Sequence, residues 1–163
     1  MIRLATMTLL LATPSFADEI LYTSGDWTLV MYEFDDGTIS CATEVINADG
    51  TVFRYESWPT GVAAVSLTDP DWQFPPESVD ETFGLRVNGG ELWVGEASKF
   101  DSTVQASLPA EDATLNVLID QLLSGTALDV ESAKGTLITH FSLAGAAITL
   151  QNHFQCEDRF VGI

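Results

Sequence analysis

The sequence predicts an α+β protein: a mainly antiparallel, β-sandwich-like body with two helices in the C-terminal third. Three observations carry this expectation. Apolar residues alternate or run in short blocks up to about residue 107, turn-forming residues punctuate those blocks, and from Pro109 onward the apolar spacing changes to three and four.

The first seventeen residues stand apart from this pattern. Arg3 supplies a basic start, Leu4 to Ala12 form a short apolar run, and Pro14, Ser15 and Ala17 precede Asp18 and Glu19. That is the order of a secretory signal peptide, with small residues three and one positions before a cut between Ala17 and Asp18. The run is shorter than the roughly 20 residues needed to cross a bilayer. Residues 18–163 are then one globular domain with one core, and the mature chain carries no membrane span.

Within that domain, residues 26–34 alternate Trp27, Leu29 and Met31 against Thr28, Val30 and Tyr32, which predicts a strand covered on both sides. Asp35-Asp36-Gly37-Thr38 forms a turn into a second strand over 39–46. Asn47-Ala48-Asp49-Gly50 suits a hairpin loop, and 51–58 return as a third strand. Residues 62–67 read as a short buried strand. The segment from Asp69 to Pro76 cannot hold a ladder, because its three prolines lack N–H donors, so it is an irregular loop. Residues 83–87 and 91–96 flank Asn88-Gly89-Gly90 as another hairpin.

Pro109, Glu111 and Asp112 then suit a helix N-terminus, and Leu115, Leu118, Ile119, Leu122 and Leu123 give the apolar stripe of a helix ending at Ser124-Gly125. Strands follow over 126–130 and 136–143. Residues 146–156 read as a last helix with Ala147, Leu150 and Phe154 on its apolar side.

Composition narrows the function classes. The chain has 24 acidic and 6 basic residues, a formal charge of −18, and loss of Arg3 with the leader leaves 5 basic residues and a balance of −19. Phosphate binding needs a basic surface, so nucleic acid is excluded as a partner. The acids are dispersed along the chain, which suits a hydrated surface or one that steers a basic partner or a cation. Cys41 and Cys156 are the only cysteines; in an exported domain they pair as a disulfide, and two are too few for a structural zinc site.

Motifs for catalysis are scarce. No Gly-x-Ser-x-Gly elbow, His-Glu-x-x-His pair, P-loop or dinucleotide glycine pattern occurs, and no cofactor is implied. Numbering an EF-hand loop from Val45 places Asn47, Asp49, Gly50 and Glu56 at expected positions, but the valine and the strand-like flanks favour a hairpin. Asp69, Asp71 and Glu77 are weak candidates for a cation in their loop. His140 and His153 could serve as ligands or bases only if the fold brings them to carboxylates. Of four tryptophans, Trp27, Trp58 and Trp93 fall in strands, where a core role is the default. Trp72, with Phe74, lies in the proline-bounded acidic loop and is the best candidate for an exposed ligand anchor.

Two short segments carry a resemblance. Gly25-Asp26-Trp27-Thr28 followed by Cys41, and Phe141-Ser142-Leu143-Ala144-Gly145-Ala146-Ala147 followed by Cys156, resemble the ends of the invasion-associated locus B family of bacterial exported proteins. The middle of the chain, about 60–110, has no counterpart in that pattern, a cysteine expected near 31–33 is missing, and members are often basic where this chain is acidic. The resemblance implies a periplasmic or surface-associated β-sandwich that meets host or envelope components and has no catalytic residues. The expectation is therefore a non-enzymatic binding protein of the periplasm or cell envelope, with a protein or envelope component as partner. The alternative is a small periplasmic hydrolase or cation-binding module built from scattered Asp, Glu and His residues.

Overall fold

The alternating segments of the sequence hydrogen-bond into one antiparallel sheet of ten strands in the computed structural model, which describes residues 18–75, 81–132 and 134–162. In chain order the strands are β1 (Glu19–Ser24), β2 (Trp27–Glu33), β3 (Ile39–Ile46), β4 (Val52–Ser57), β5 (Val62–Thr68), β6 (Glu81–Val87), β7 (Leu92–Phe100) and β8 (Thr103–Pro109). Helix α1 (Ala113–Ser124), strands β9 (Ala127–Ser132) and β10 (Leu137–Ser142), helix α2 (Ala146–Glu157) and a 3-10 turn (Asp158–Gly162) complete it. The spatial order is β1-β2-β3-β4-β5-β8-β7-β6-β9-β10.

The body is thus antiparallel and β-rich as expected, but its strands form one continuous sheet where a sandwich has two. The sheet curls, because residues near its two ends meet. The Trp27 indole N–H donates to the Ser142 carbonyl at 2.8 Å, and Asn47 Nδ2 donates to Thr139 Oγ1 and the His140 carbonyl, each at 2.9 Å. β1 and β10 do not pair, so the curl stays open. The turn of the sheet lies in β7, whose residues 92–97 pair with β6 and whose residues 98–100 pair with β8.

The curl encloses the core. Trp27, Phe53 and Phe141, from β2, β4 and β10, pack edge to face or tilted at centroid distances of 6.0 and 5.9 Å. Leu115, Leu118, Ile119 and Leu122 of α1 and Ala146 and Leu150 of α2 complete the same cluster. The sequence places the start of α1 near Pro109; in the structure Pro109 closes β8, and Asp112 is the N-cap, accepting from the N–H groups of Thr114 and Leu115 at 2.8 and 3.2 Å. The face of α2 also differs from expectation: Leu150, Thr149, His153 and Cys156 are buried, while Phe154 is exposed. Cys156 bonds Cys41 of β3 within a second small cluster that includes Leu29.

Two strands lie outside the expected set. β1 was masked in the sequence because a register shift between Ile20 and Tyr22 breaks the period of two. β8 was obscured because the Asp101-Ser102 turn that joins it to β7 contains no glycine; Asp101 itself adopts φ 50°.

The two segments that carry the family resemblance cross each other. Gly25 (φ 58°) turns β1 into β2, and Gly145 (φ 100°) turns β10 into α2. A Cβ on Gly25 would overlap the Ala144 carbonyl oxygen, and one on Gly145 would overlap that of Ser24. Only glycine permits both the left-handed backbone and this approach.

Candidate functional site

The proline-rich loop after β5 is held as a firm platform by its own polar groups. Asp69 Oδ1 accepts from the Asp71 N–H at 2.9 Å, the Asp69 carbonyl accepts from the Trp72 N–H, and the Asp69 and Phe74 N–H groups donate to the carbonyls of Ser102 and Asp101. Tied in this way to the β7–β8 turn, the loop sets Trp72 and Phe74 side by side, rings tilted at 54° with centroids 5.4 Å apart.

Both aromatic rings are half-buried against the core and line a pocket of about 210 Å³ with Thr82, Phe83, Lys99, Val104, Ser132 and Ile138. Lys99 Nζ stands 5.1 Å from the Phe74 ring centroid, a cation–π distance. Ile138, on edge strand β10, is 41% exposed at the rim. Apolar walls, one ammonium and two hydroxyl-bearing residues can hold a partly apolar ligand by surface burial and orient it by a few polar contacts. The sequence singled out Trp72 and Phe74; Lys99, Ser132 and Ile138 come from strands far along the chain, and nothing in the sequence joins them to that loop.

The cation candidates behave differently. Asp69 is spent on the turn described above, and Asp71 is exposed. Glu77 lies outside the described residues. Among the described residues no three His, Cys, Asp or Glu side chains converge with metal-binding geometry. The loop after Asn47 joins strands β3 and β4, and Asp49 accepts from the Thr51 N–H at 3.0 Å, so the EF-hand spacing there belongs to a hairpin.

The histidines sit apart in different roles. His140 is exposed on β10, its Nδ1 2.7 Å from Asp129 Oδ1 on β9. His153 on α2 is fully buried: Nδ1 meets Thr43 Oγ1 at 3.0 Å, Nε2 meets Ser57 Oγ at 2.8 Å, and the ring lies 4.7 Å from that of Tyr55. Glu157 Oε1 stands 3.6 Å from Nε2. Burial pushes the Glu157 carboxyl up, but its interactions with His153 and Ser57 outweigh this and hold it below the usual range.

Ser57, His153 and Glu157 name the residue types of a hydrolytic triad, yet the geometry is not that of one. In a working triad the acid orients the imidazole from the nitrogen opposite the serine. Here serine and glutamate share Nε2, Thr43 occupies Nδ1, and Ser57 is buried. The arrangement satisfies two buried hydroxyls and one ring, which is a packing role.

On the opposite face of β4 a second polar network runs through Tyr32, Glu44, Arg54, Glu56 and Ser40. Arg54 pairs with Glu44 at 2.8 Å and stacks 4.9 Å over Tyr32, and Ser40 Oγ donates to Glu56 at 2.5 Å. Burial holds the Tyr32 hydroxyl up at about 12, and burial likewise raises Glu56 despite the Ser40 bond and nearby Arg54.

Of the remaining tryptophans, Trp27 and Trp93 are core residues as expected, and Trp58 is partly buried at the β4–β5 turn. Among the described residues no helix is long and apolar enough to cross a membrane. Comparison of the chain with protein-family models, with curated proteins and with solved structures finds no match.

Proposed function

We propose that this chain is an exported, non-enzymatic binding protein of the bacterial periplasm or cell envelope, which takes a protein or envelope component at the Trp72–Phe74 pocket. The observation that carries the reading is the pocket itself: two aromatic rings on a hydrogen-bonded loop, beside a lysine that lies over one of them. Such a surface buries apolar area and orients a partner without needing a reactive group.

Several features support export and the family resemblance. The N-terminal residues follow signal-peptide order, and the Cys41–Cys156 disulfide suits an oxidising compartment. The Gly25-Asp26-Trp27 and Ser142-Leu143-Ala144-Gly145 segments, far apart in sequence, are in contact through the Trp27–Ser142 bond and the glycine crossing. Residues shared with the invasion-associated locus B pattern thus work as one unit, a reason for them to occur together. The hydrolase alternative draws no support from the histidines, neither of which sits in a polar cleft with two carboxylates.

The test is affinity capture from envelope extracts with the mature protein and with Trp72→Ala and Phe74→Ala variants of unchanged melting temperature. The reading requires a component retained by the wild type and lost by both variants. Equal retention by all three would overturn it.

A further inference from the structure

Strand β7 changes partner along its length, and nowhere is it paired on both sides among the described residues. Its residues 92–97 bond to β6, but β8 reaches it only through Ser98↔Gln105, Lys99↔Val104 and Phe100↔Thr103. From Ala97 back to Leu92 no ladder pair joins the two strands among the described residues; Gly95 still packs close to Ala106 of β8, but residues 92–94 lie beside α1. Three residues of unpaired edge, 92–94, amount to about 10 Å at roughly 3.4 Å per residue.

A groove of about 400 Å³ runs beside this edge, between 91–94 and helix α1. Its lining is mostly apolar, and two of its side chains are unusually open to solvent for their type: Val94 at 55% and Val117 at 54%. Two further lining residues carry unanswered polar atoms. Trp93 is 7% exposed, and its indole N–H has no acceptor; Gln121 Oε1 is buried and has no donor. A buried polar atom without a partner keeps its desolvation penalty with no bond to offset it. The two orphans are one donor and one acceptor, the complement of an amide. Glu91 stands in the wall, and Glu111 and Asp112 precede the first turn of α1, on a chain of net charge −18.

We infer that the groove between β7 and α1 docks an extended peptide that is apolar at alternate residues and basic at its ends, and that this peptide adds a strand to the open edge of β7. Its backbone supplies ladder partners for the edge, a carbonyl for the Trp93 indole and an N–H for Gln121; alternate side chains rest on Val94 and Val117. Lysines at the peptide ends meet the acidic rim. This surface is separate from the Trp72 pocket.

The test uses the mature protein labelled with 15N at tryptophan, titrated in physiological salt with lysine-flanked heptapeptides alternating Val/Thr, Ile/Ser or Phe/Thr. At least one peptide should move the Trp93 indole resonance saturably. Val117→Lys should weaken it tenfold or more, and N-methylation of alternate peptide nitrogens should abolish it. A Trp72→Ala variant should bind as the wild type does, so failure here and failure of the pocket reading are distinguishable. Should no peptide move Trp93, or should the N-methylated peptide or the Val117→Lys variant bind unchanged, the inference is overturned.

Discussion

Removing the Cys41–Cys156 bond should lower the melting temperature of the mature protein by about 10–20 °C. The bond joins residues 115 apart in sequence, and closing a loop of that length in the unfolded chain corresponds to about 5 kcal/mol in the chain-entropy model. For a domain of about this size each kcal/mol moves the midpoint by roughly 2–4 °C. Both cysteines are buried beside Leu29, so the native packing survives loss of the bond and the effect falls mainly on the unfolded ensemble. The assay is scanning calorimetry of Cys41→Ala, Cys156→Ala and the double variant, with urea titration alongside. Because either single change breaks the same bond, all three should fall by similar amounts, and the urea m-value should rise as the unfolded chain expands. A drop below about 5 °C, or a double variant that loses the sum of the singles, would refute the entropic reasoning and point to packing.

Three further outcomes follow from the geometry. His153→Leu removes the partner of Thr43 and Ser57, so it should cost about 2–4 kcal/mol of unfolding free energy in urea; an unchanged midpoint would show that those hydroxyls find other partners. Gly145→Ala forces a Cβ into the Ser24 carbonyl at φ 100° and should cost about 3 kcal/mol or more, seen as lost soluble yield or a lowered midpoint, whereas Gly37→Ala, with open space around it, should cost less. Glu56 has its folded pKa raised above the unfolded 4.5, so the fold favours the protonated form and loses stability as pH rises from 4.5 through the folded pKa. Glu56→Gln should therefore be neutral below pH 4.5 and stabilising above it; a benefit that shrinks as pH rises would reverse that sign.

Much of the fold was legible where one physical signal dominated. The strand Ile39–Ile46 and the start of α2 at Ala146 match their expected positions, because turn residues bound the one and helical spacing opens the other. β1 and β8 were lost where a bulge and a glycine-free turn erased those signals. The number of sheets was not legible at all: whether β5 pairs with β8 or with β6 depends on long-range packing, and alternation along a strand is the same in a sandwich and in a curled sheet. At the candidate site, Trp72 and Phe74 could be named from their proline-bounded loop. Lys99, Ser132 and Ile138 could not, since only the β7 bend and the β9–β10 hairpin bring them there. The hydrogen-bonded burial of His153 is not legible in the sequence, because its partners Thr43 and Ser57, on β3 and β4, carry no signature there.

The most direct test of the binding reading observes the four tryptophan indole N–H resonances while the component captured from envelope extracts is titrated into the labelled mature protein. Each reports a different place: Trp27 the crossing bonded to Ser142, Trp58 a turn, Trp93 the β7 groove and Trp72 the aromatic pocket. The account predicts a saturable shift of Trp72 with Trp27 unmoved. A saturable interaction that leaves Trp72 in place would contradict it.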